Sequence, residues 1–102
     1  MTGDREIQRM RRKIADVDRE IVEAVARRMG LSARMGELKA RQGIAIEAKD
    51  VEAAVLERAT ELGVELGLEE ELVKELFDLL IAHSKREQRR HRGVGEDRNA
   101  GA

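Results

Sequence analysis

The sequence has no Cys, no Pro, no Trp and no Tyr, and it has a single Phe among its 102 residues. Without cysteine, the chain can form neither a disulfide-stapled scaffold nor a cysteine-ligated zinc site. No apolar run approaches the roughly 20 residues that a membrane-spanning helix needs. The start, MTGDREIQRMRRK, lacks the apolar segment of a signal peptide. We therefore expect a soluble cytoplasmic protein that does not engage a membrane.

Positive and negative charges are nearly balanced, with 20 Lys and Arg against 21 Asp and Glu. This balance argues against a protein that binds nucleic acid over its whole surface. Charged residues make up 40% of the chain, which is typical of long amphipathic helices with solvated outer faces. With no strand pattern and no internal repeat, the chain is predicted to be all-α.

Apolar residues recur at intervals of three and four in three segments, which predicts helices at about 6–42, 49–65 and 69–91. The first segment also contains Gly30 and Gly36, each of which costs about 1 kcal/mol relative to Ala inside a helix. We therefore expect each glycine to permit a close approach of another helix. Residues 93–102, GVGEDRNAGA, have no apolar periodicity and are predicted to be a disordered tail after a single helical domain of residues 1–92.

The length of the first helix bears on assembly. At 1.5 Å per residue it would be roughly 50 Å long, whereas a compact domain of this size has a radius of gyration of only about 13 Å. The two shorter helices cannot cover its apolar stripe along the whole length. The sequence therefore predicts an interlocked homodimer.

Two cations interrupt the apolar stripe of the first helix. Arg28 occupies the heptad position that Ile7, Ile14 and Ile21 hold before it, and Lys39 lies nearly three whole turns further along the same face. Arg28 could simply extend outward to solvent. A buried guanidinium would instead need an anion, because an unpaired buried charge costs several kcal/mol, and the sequence offers no obvious internal partner. A bound carboxylate or phosphate is the alternative hypothesis.

Other polar side chains interrupt or border the stripes. Ser84 and Gln88 continue the apolar row of the third helix, Arg11 flanks the first stripe, and Glu52 borders the second. The pooled set of three cations, one carboxylate, one amide and one hydroxyl suits a small dianionic ligand. Neither a Ser–His or Cys–His pair, nor a metal-ligand spacing, nor a glycine-rich phosphate loop is present. We therefore expect no cofactor and no metal.

Four segments, in this order and spacing, carry a family resemblance: RRKIADVDREIVEAVARRM, GELKARQGI, LERA and LFDLLIAHSKREQ. Over about residues 5–90 the chain resembles the all-helical chorismate mutases of the AroQ type. The resemblance implies an intertwined homodimer of three-helix chains. It also implies the cofactor-free rearrangement of chorismate to prephenate, a step in aromatic amino-acid biosynthesis.

The resemblance also implies roles for the polar residues. Arg28 and an Arg11 donated by the second chain would bind the two carboxylates of the substrate. Lys39 and Gln88 would hydrogen-bond the ether oxygen on which negative charge develops. Glu52 would hold the ring hydroxyl, and Ser84 would assist at a carboxylate.

One segment departs from the family pattern. Many members carry an acid and, three positions later, an Arg just before the equivalent of Glu52, whereas IEAKDVE places Ala48 and Val51 there. Weaker activity, substitution by Glu47 or Asp50, or a related substrate would each be consistent with this departure.

Three alternative functions remain open. Isochorismate pyruvate-lyases share the scaffold but lack a carboxylate at the place of Glu52, so Glu52 favours the mutase. A non-catalytic helical dimerisation module would use the polar residues of the stripes to fix register. Nucleic-acid binding through KREQRRHR (85–92) is disfavoured, because basic residues are generally favourable at a helix C-terminus and no aromatic residues accompany them.

Overall fold

The computed structural model describes the backbone of residues 2–100 and the side chains of residues 3–91. Its three helices are α1 (Thr2–Gln42), α2 (Lys49–Glu65) and α3 (Glu70–Ala100), and no strand occurs within 2–100. The predicted all-α class with one very long helix is confirmed. α2 has the predicted bounds, α1 begins before the predicted start at 6, and α3 continues past the predicted end at 91. The disordered tail at 93–102 stays a prediction, because residues 101–102 and the side chains of 92–100 lie outside the described residues.

A glycine turn ends α1 and brings the chain back towards it. Gly43 has a φ of 67°, which non-glycine residues rarely adopt, and the Ile44 amide donates to the Lys39 carbonyl at 2.9 Å. The following residues lead to α2, whose N-cap position is Ala48. No side-chain hydrogen bond caps α2 at that residue. The 43–48 segment therefore lies close to the last turns of α1.

α3 packs against both α1 and α2 and holds the chain together. At one α1–α3 contact, a Cβ added to Gly36 would lie 2.7 Å from Gln88 Cα, so only glycine allows this approach. No atom lies within 4 Å of a Cβ placed at Gly30. The prediction of a close approach is therefore confirmed for Gly36, whereas no element of the described chain approaches Gly30, for which the prediction stays a prediction about a second chain.

A single chain buries few of its apolar side chains. Val73, with 4% of its surface exposed, is the one hydrophobic residue classed as buried among the described side chains. The row on the first half of α1 is between 49% and 60% exposed and comprises Ile7, Met10, Ile14, Val17 and Ile21. The chain measures 68 × 27 × 14 Å with a radius of gyration of 18.6 Å, well above the roughly 13 Å of a compact domain of this length.

Across the described residues, none of the helices combines the length and the apolar character that crossing a bilayer requires.

Candidate functional site

A cavity of about 100 Å³ lies between the second half of α1, the segment before α2, the start of α2 and the middle of α3. Its polar lining consists of Arg28, Lys39, Glu52, Ser84, Lys85 and Gln88, and its apolar lining of Ile46, Ala48, Val51, Val55 and Ile81. Five of the six predicted site residues therefore lie around one cavity. The exception is Arg11.

Arg28 points towards α3 and contacts neutral groups. Its Nη1 donates to Ser84 Oγ and, at 3.4 Å, to the Leu80 carbonyl, while the guanidinium carbon lies 6.0 Å from the centroid of the Phe77 ring. Arg28 thus faces the cavity rather than extending outward, and it has internal partners that the sequence did not reveal. None of the ion pairs among the described side chains involves Arg28. Its positive charge is therefore available to an anion.

Lys39 is also held by neutral acceptors. Its ammonium donates to the Ile46 carbonyl at 3.0 Å and to Gln88 Oε1 at 2.9 Å. The turn at Gly43 makes the first bond feasible, because it returns the chain towards the last turns of α1. The close α1–α3 approach at Gly36 brings the Gln88 backbone against α1. No described carboxylate pairs with Lys39.

Glu52 and Lys85 form an ion pair on the opposite wall. Lys85 Nζ lies 2.9 Å from Glu52 Oε1 and 3.7 Å from Glu47 Oε1. The other oxygen, Glu52 Oε2, is buried and has no hydrogen-bond partner. The pKa of Lys85 is raised, chiefly by its hydrogen bond to Glu52, and desolvation opposes this only in part. Lys85 therefore remains a cation beside Glu52.

The sequence reasoning missed Lys85. It lies in the basic run at 85–92, which is equally typical of a solvated helix end. A signal was nevertheless present, because Lys85 follows Ile81 by four residues and precedes Gln88 by three, a spacing that places all three on one helix face.

Arg11 lies far from this cavity in its own chain. It is exposed and lines a surface hollow near the start of α1 together with Ile7, Met10 and Ile14. Seventeen residues separate it from Arg28 on the same helix, which corresponds to roughly 25 Å along the axis. An arginine side chain cannot span that distance, so Arg11 could act only on the cavity of another chain.

Several side chains within residues 85–91 of the basic run have contacts inside the chain. Lys85 and Gln88 line the cavity, Arg90 pairs with Glu87 at 3.1 Å, and His91 Nδ1 lies 3.8 Å from a Glu37 oxygen. These contacts reduce the charge available to a phosphate backbone. Nor do the described side chains include three or more His, Asp or Glu residues grouped as a metal site would need.

The cavity combines two cations that lack a carboxylate partner with neutral hydrogen-bonding groups and one carboxylate. Arg28 and Lys39 can bind an anion and stabilise negative charge that develops on it. The single hydroxyl in the lining, that of Ser84, accepts a hydrogen bond from a cation and has no neighbouring base among the lining residues. The arrangement therefore suits a reaction that needs positioning and electrostatic stabilisation rather than a nucleophile.

Comparisons with known proteins agree with these features. The family described as chorismate mutase type II matches residues 10–89. A Streptomyces venezuelae protein named 4-amino-4-deoxychorismate mutase is 30% identical over 81 residues, which cover 79% of this chain and 79% of that protein. A Methanocaldococcus jannaschii protein named chorismate mutase is 28% identical over 90 residues, which cover 88% of this chain and 91% of that protein. No solved structure gave a significant match.

Proposed function

The chain belongs to the type II chorismate mutase family, and we propose that it is an isomerase that converts chorismate to prephenate. The observation that carries this proposal is the convergence of Arg28, Lys39 and Gln88 on one cavity, with neither cation neutralised by a carboxylate. The reaction belongs to aromatic amino-acid biosynthesis, and we place it in the cytoplasm. Residues 1–92 of each chain form the single domain that contributes to the site.

The cations bind the two carboxylates of the substrate. Arg28 takes one of them, assisted by the Ser84 hydroxyl that already contacts its guanidinium. An arginine suits this task because its planar guanidinium can donate two parallel hydrogen bonds to the two oxygens of a carboxylate. Arg11 of a second chain takes the other carboxylate. Fixing both ends of a flexible molecule holds it in the compact shape in which the reacting carbons approach each other.

The chemical step requires no cofactor. The ether C–O bond breaks while a C–C bond forms within the same molecule, so no atom is gained or lost and no external base or nucleophile takes part. Negative charge grows on the ether oxygen as its bond to carbon lengthens. Lys39 and Gln88 donate hydrogen bonds to that oxygen, and donors fixed in advance lower the barrier without reorganising.

Glu52 orients the ring. Its buried Oε2 has no hydrogen-bond partner among the described residues, and a ring hydroxyl would supply the missing hydrogen. Ala48 and Val51 line the same cavity as apolar groups, at the places where the family pattern has an acid and an arginine. The ring hydroxyl therefore depends on Glu52 alone among the lining carboxylates.

A homodimer completes the site. Five half-exposed apolar side chains on the first half of α1 require a cover, and fully burying side chains of this size contributes about 1.5–3 kcal/mol each. An apolar hollow between α2 and α3, lined by Leu62, Leu66, Leu68, Leu72, Leu76 and Phe77 among others, offers a surface of the same chemistry. We propose that the first half of α1 from each chain packs on the other and carries Arg11 to the second cavity.

A second candidate substrate is 4-amino-4-deoxychorismate. Identity of 30% to the S. venezuelae protein of that name supports it, as does the departure from the family pattern at Ala48 and Val51. This compound carries an amine where chorismate carries its ring hydroxyl. The residues around Glu52 would therefore determine which of the two substrates the protein prefers.

The proposal is tested by following the loss of chorismate absorbance with the purified protein. Arg28→Ala should lower kcat/KM by at least about 100-fold, because a charged partner of a substrate carboxylate is removed. Arg27→Ala is the matched control, since Arg27 is exposed on the next position of α1. Absence of chorismate turnover by the unaltered protein would overturn the assignment. Release of pyruvate from isochorismate under the same conditions would indicate the lyase instead.

A further inference from the structure

Lys85 differs from the other two cations of the cavity because it is paired with a carboxylate. Its Nζ lies 2.9 Å from Glu52 Oε1 and 3.7 Å from Glu47 Oε1. Both members of the closer pair are largely withdrawn from solvent, each with 24% of its side chain exposed. Water screens such a pair less than it screens a pair on the open surface. The ion pair is thus a fixed part of the wall that faces the ligand.

The pairing determines what the second oxygen of Glu52 can attract. Glu52 lines the cavity, and its Oε2 is buried without a hydrogen-bond partner among the described residues, so a ligand donor that reaches this oxygen would satisfy it. A neutral hydroxyl satisfies this oxygen without adding charge. A protonated amine would also satisfy it, but it would enter beside the ammonium of Lys85, and like charges at close range repel.

From this geometry we propose that Lys85 is a specificity-determining residue: by neutralising Glu52, it selects a ring hydroxyl and rejects a protonated amine at the same ring position. The inference rests on the proposed function, because it assigns the substrate class of that same site. Lys85 acts through Glu52 and needs no contact with the reacting atoms.

The test compares kcat/KM for chorismate and for 4-amino-4-deoxychorismate in the full-length protein. The unaltered protein should prefer chorismate. Lys85→Met keeps most of the unbranched side chain and removes its charge, so the chorismate-to-analogue ratio should fall by at least about tenfold, since like charges at close range oppose the analogue only while Lys85 is present. Lys85→Arg keeps the charge and should retain the preference. Lys74→Met is the matched control, because Lys74 lies on α3 and, among the described side chains, pairs with the exposed Glu70 and no other carboxylate.

Each outcome bears on the inference in a defined way. An unchanged ratio in Lys85→Met, with chorismate still turned over, would overturn the role of Lys85 and leave the proposed function intact. A preference of the unaltered protein for the analogue would overturn the role of Lys85 and would favour the second candidate substrate over chorismate. Failure of the unaltered protein to turn over either compound would overturn the proposed function and this inference with it. Should Lys85→Met lose its helical circular dichroism, Lys85→Gln gives the same ratio test.

Discussion

Lys39 Nζ lies 2.9 Å from Gln88 Oε1, so the two groups proposed to act on the ether oxygen also hold each other. Because the amide oxygen of Gln88 accepts this bond, its NH₂ group is left to donate to a ligand. The ammonium of Lys39 uses a second hydrogen on the Ile46 carbonyl, which leaves a third. Two free donors fixed before substrate arrives constitute a preorganised oxyanion site.

Removing the ammonium of Lys39 should reduce turnover sharply. We expect Lys39→Ala to lower kcat by at least about 100-fold, because the loss of one donor to a developing oxyanion costs roughly 3–4 kcal/mol. Chorismate absorbance measures the rate, and Lys74→Ala serves as the control at an exposed lysine. Near-normal turnover in Lys39→Ala would remove Lys39 from the mechanism.

The pH dependence of the rate should reflect the neutrality of Gln88. An amide donates without first being protonated, so kcat should stay level between about pH 6 and pH 9. Lys85 does not alter this expectation. Its raised pKa keeps it charged across that range, and its contribution is lost only as the pH rises through the raised value.

A titrating residue at position 88 provides the contrast. In Gln88→Glu the new carboxyl group can donate only when protonated, so the rate of that variant should increase as the pH falls. A steep rise below pH 6 in the unaltered protein would contradict the assignment of Gln88 as a neutral donor.

Two inactive variants should restore activity when their subunits are mixed. Arg11→Ala removes the group given to the other chain, and Arg28→Ala removes the group that a chain keeps. A hybrid dimer would contain one cavity with both arginines and one with neither. After unfolding and refolding equal amounts together, about a quarter of the unaltered activity should return, because half of the dimers are hybrids with one intact site each.

The same mixture identifies a site built from one chain. If each cavity were complete within its own chain, Arg11→Ala would keep its activity, and the mixture would show only the activity of the Arg11→Ala chains. Arg27→Ala mixed with Arg28→Ala controls for nonspecific stabilisation, since it should give only the activity contributed by the Arg27→Ala chains.

Gly30 and Gly36 of α1 should respond to alanine in opposite directions. Gly36→Ala places a Cβ against the Gln88 backbone, and overpacking of this kind costs about 1–3 kcal/mol. Gly30→Ala meets no atom within 4 Å in the described chain and should stabilise the helix by about 0.5–1 kcal/mol. Thermal unfolding measures both changes. A lower Tm for Gly30→Ala would show that Gly30 is needed at a contact with the second chain.

An acid at position 48 should stabilise the start of α2. Ala48 is its N-cap residue and provides no side-chain hydrogen bond, whereas Asp at an N-cap is worth about 0.5–2 kcal/mol over Ala. We expect Ala48→Asp to raise Tm. Ala53→Asp introduces the same charge within α2, beyond the unpaired amides of the first turn, and should lower Tm. Equal Tm changes in the two variants would exclude capping as the cause.

The periodicity of the apolar residues was sufficient to predict the three helices and the two cations that α1 contributes to the site. Intervals of three and four residues gave the bounds of α2, and Gly43 marked the end of α1. The eleven residues from Arg28 to Lys39 are nearly three helical turns, so their shared face followed from helix geometry alone. Both side chains do line the cavity.

Features that depend on how helices meet were harder to predict. The spacing of Lys85 from Ile81 and Gln88 indicates its helix face, but its partner is Glu52 on another helix, and no local pattern predicts that pairing. Different environments could have been predicted for Gly30 and Gly36. A spacing of six residues corresponds to about one and two-thirds turns and places the two glycines on different faces of α1. The sequence alone did not indicate which face meets α3.

If dimerisation covers the exposed first half of α1, the catalytic activity depends on the protein concentration. In a newly synthesised monomer the apolar side chains of that half are exposed to solvent, and a helical segment without tertiary packing is only marginally stable in water. If a sister molecule provides the cover, dilution would dismantle the catalyst and its scaffold together. At scarce expression, the flux through the reaction would then rise with the square of the amount synthesised, and approach simple proportionality once pairing is complete.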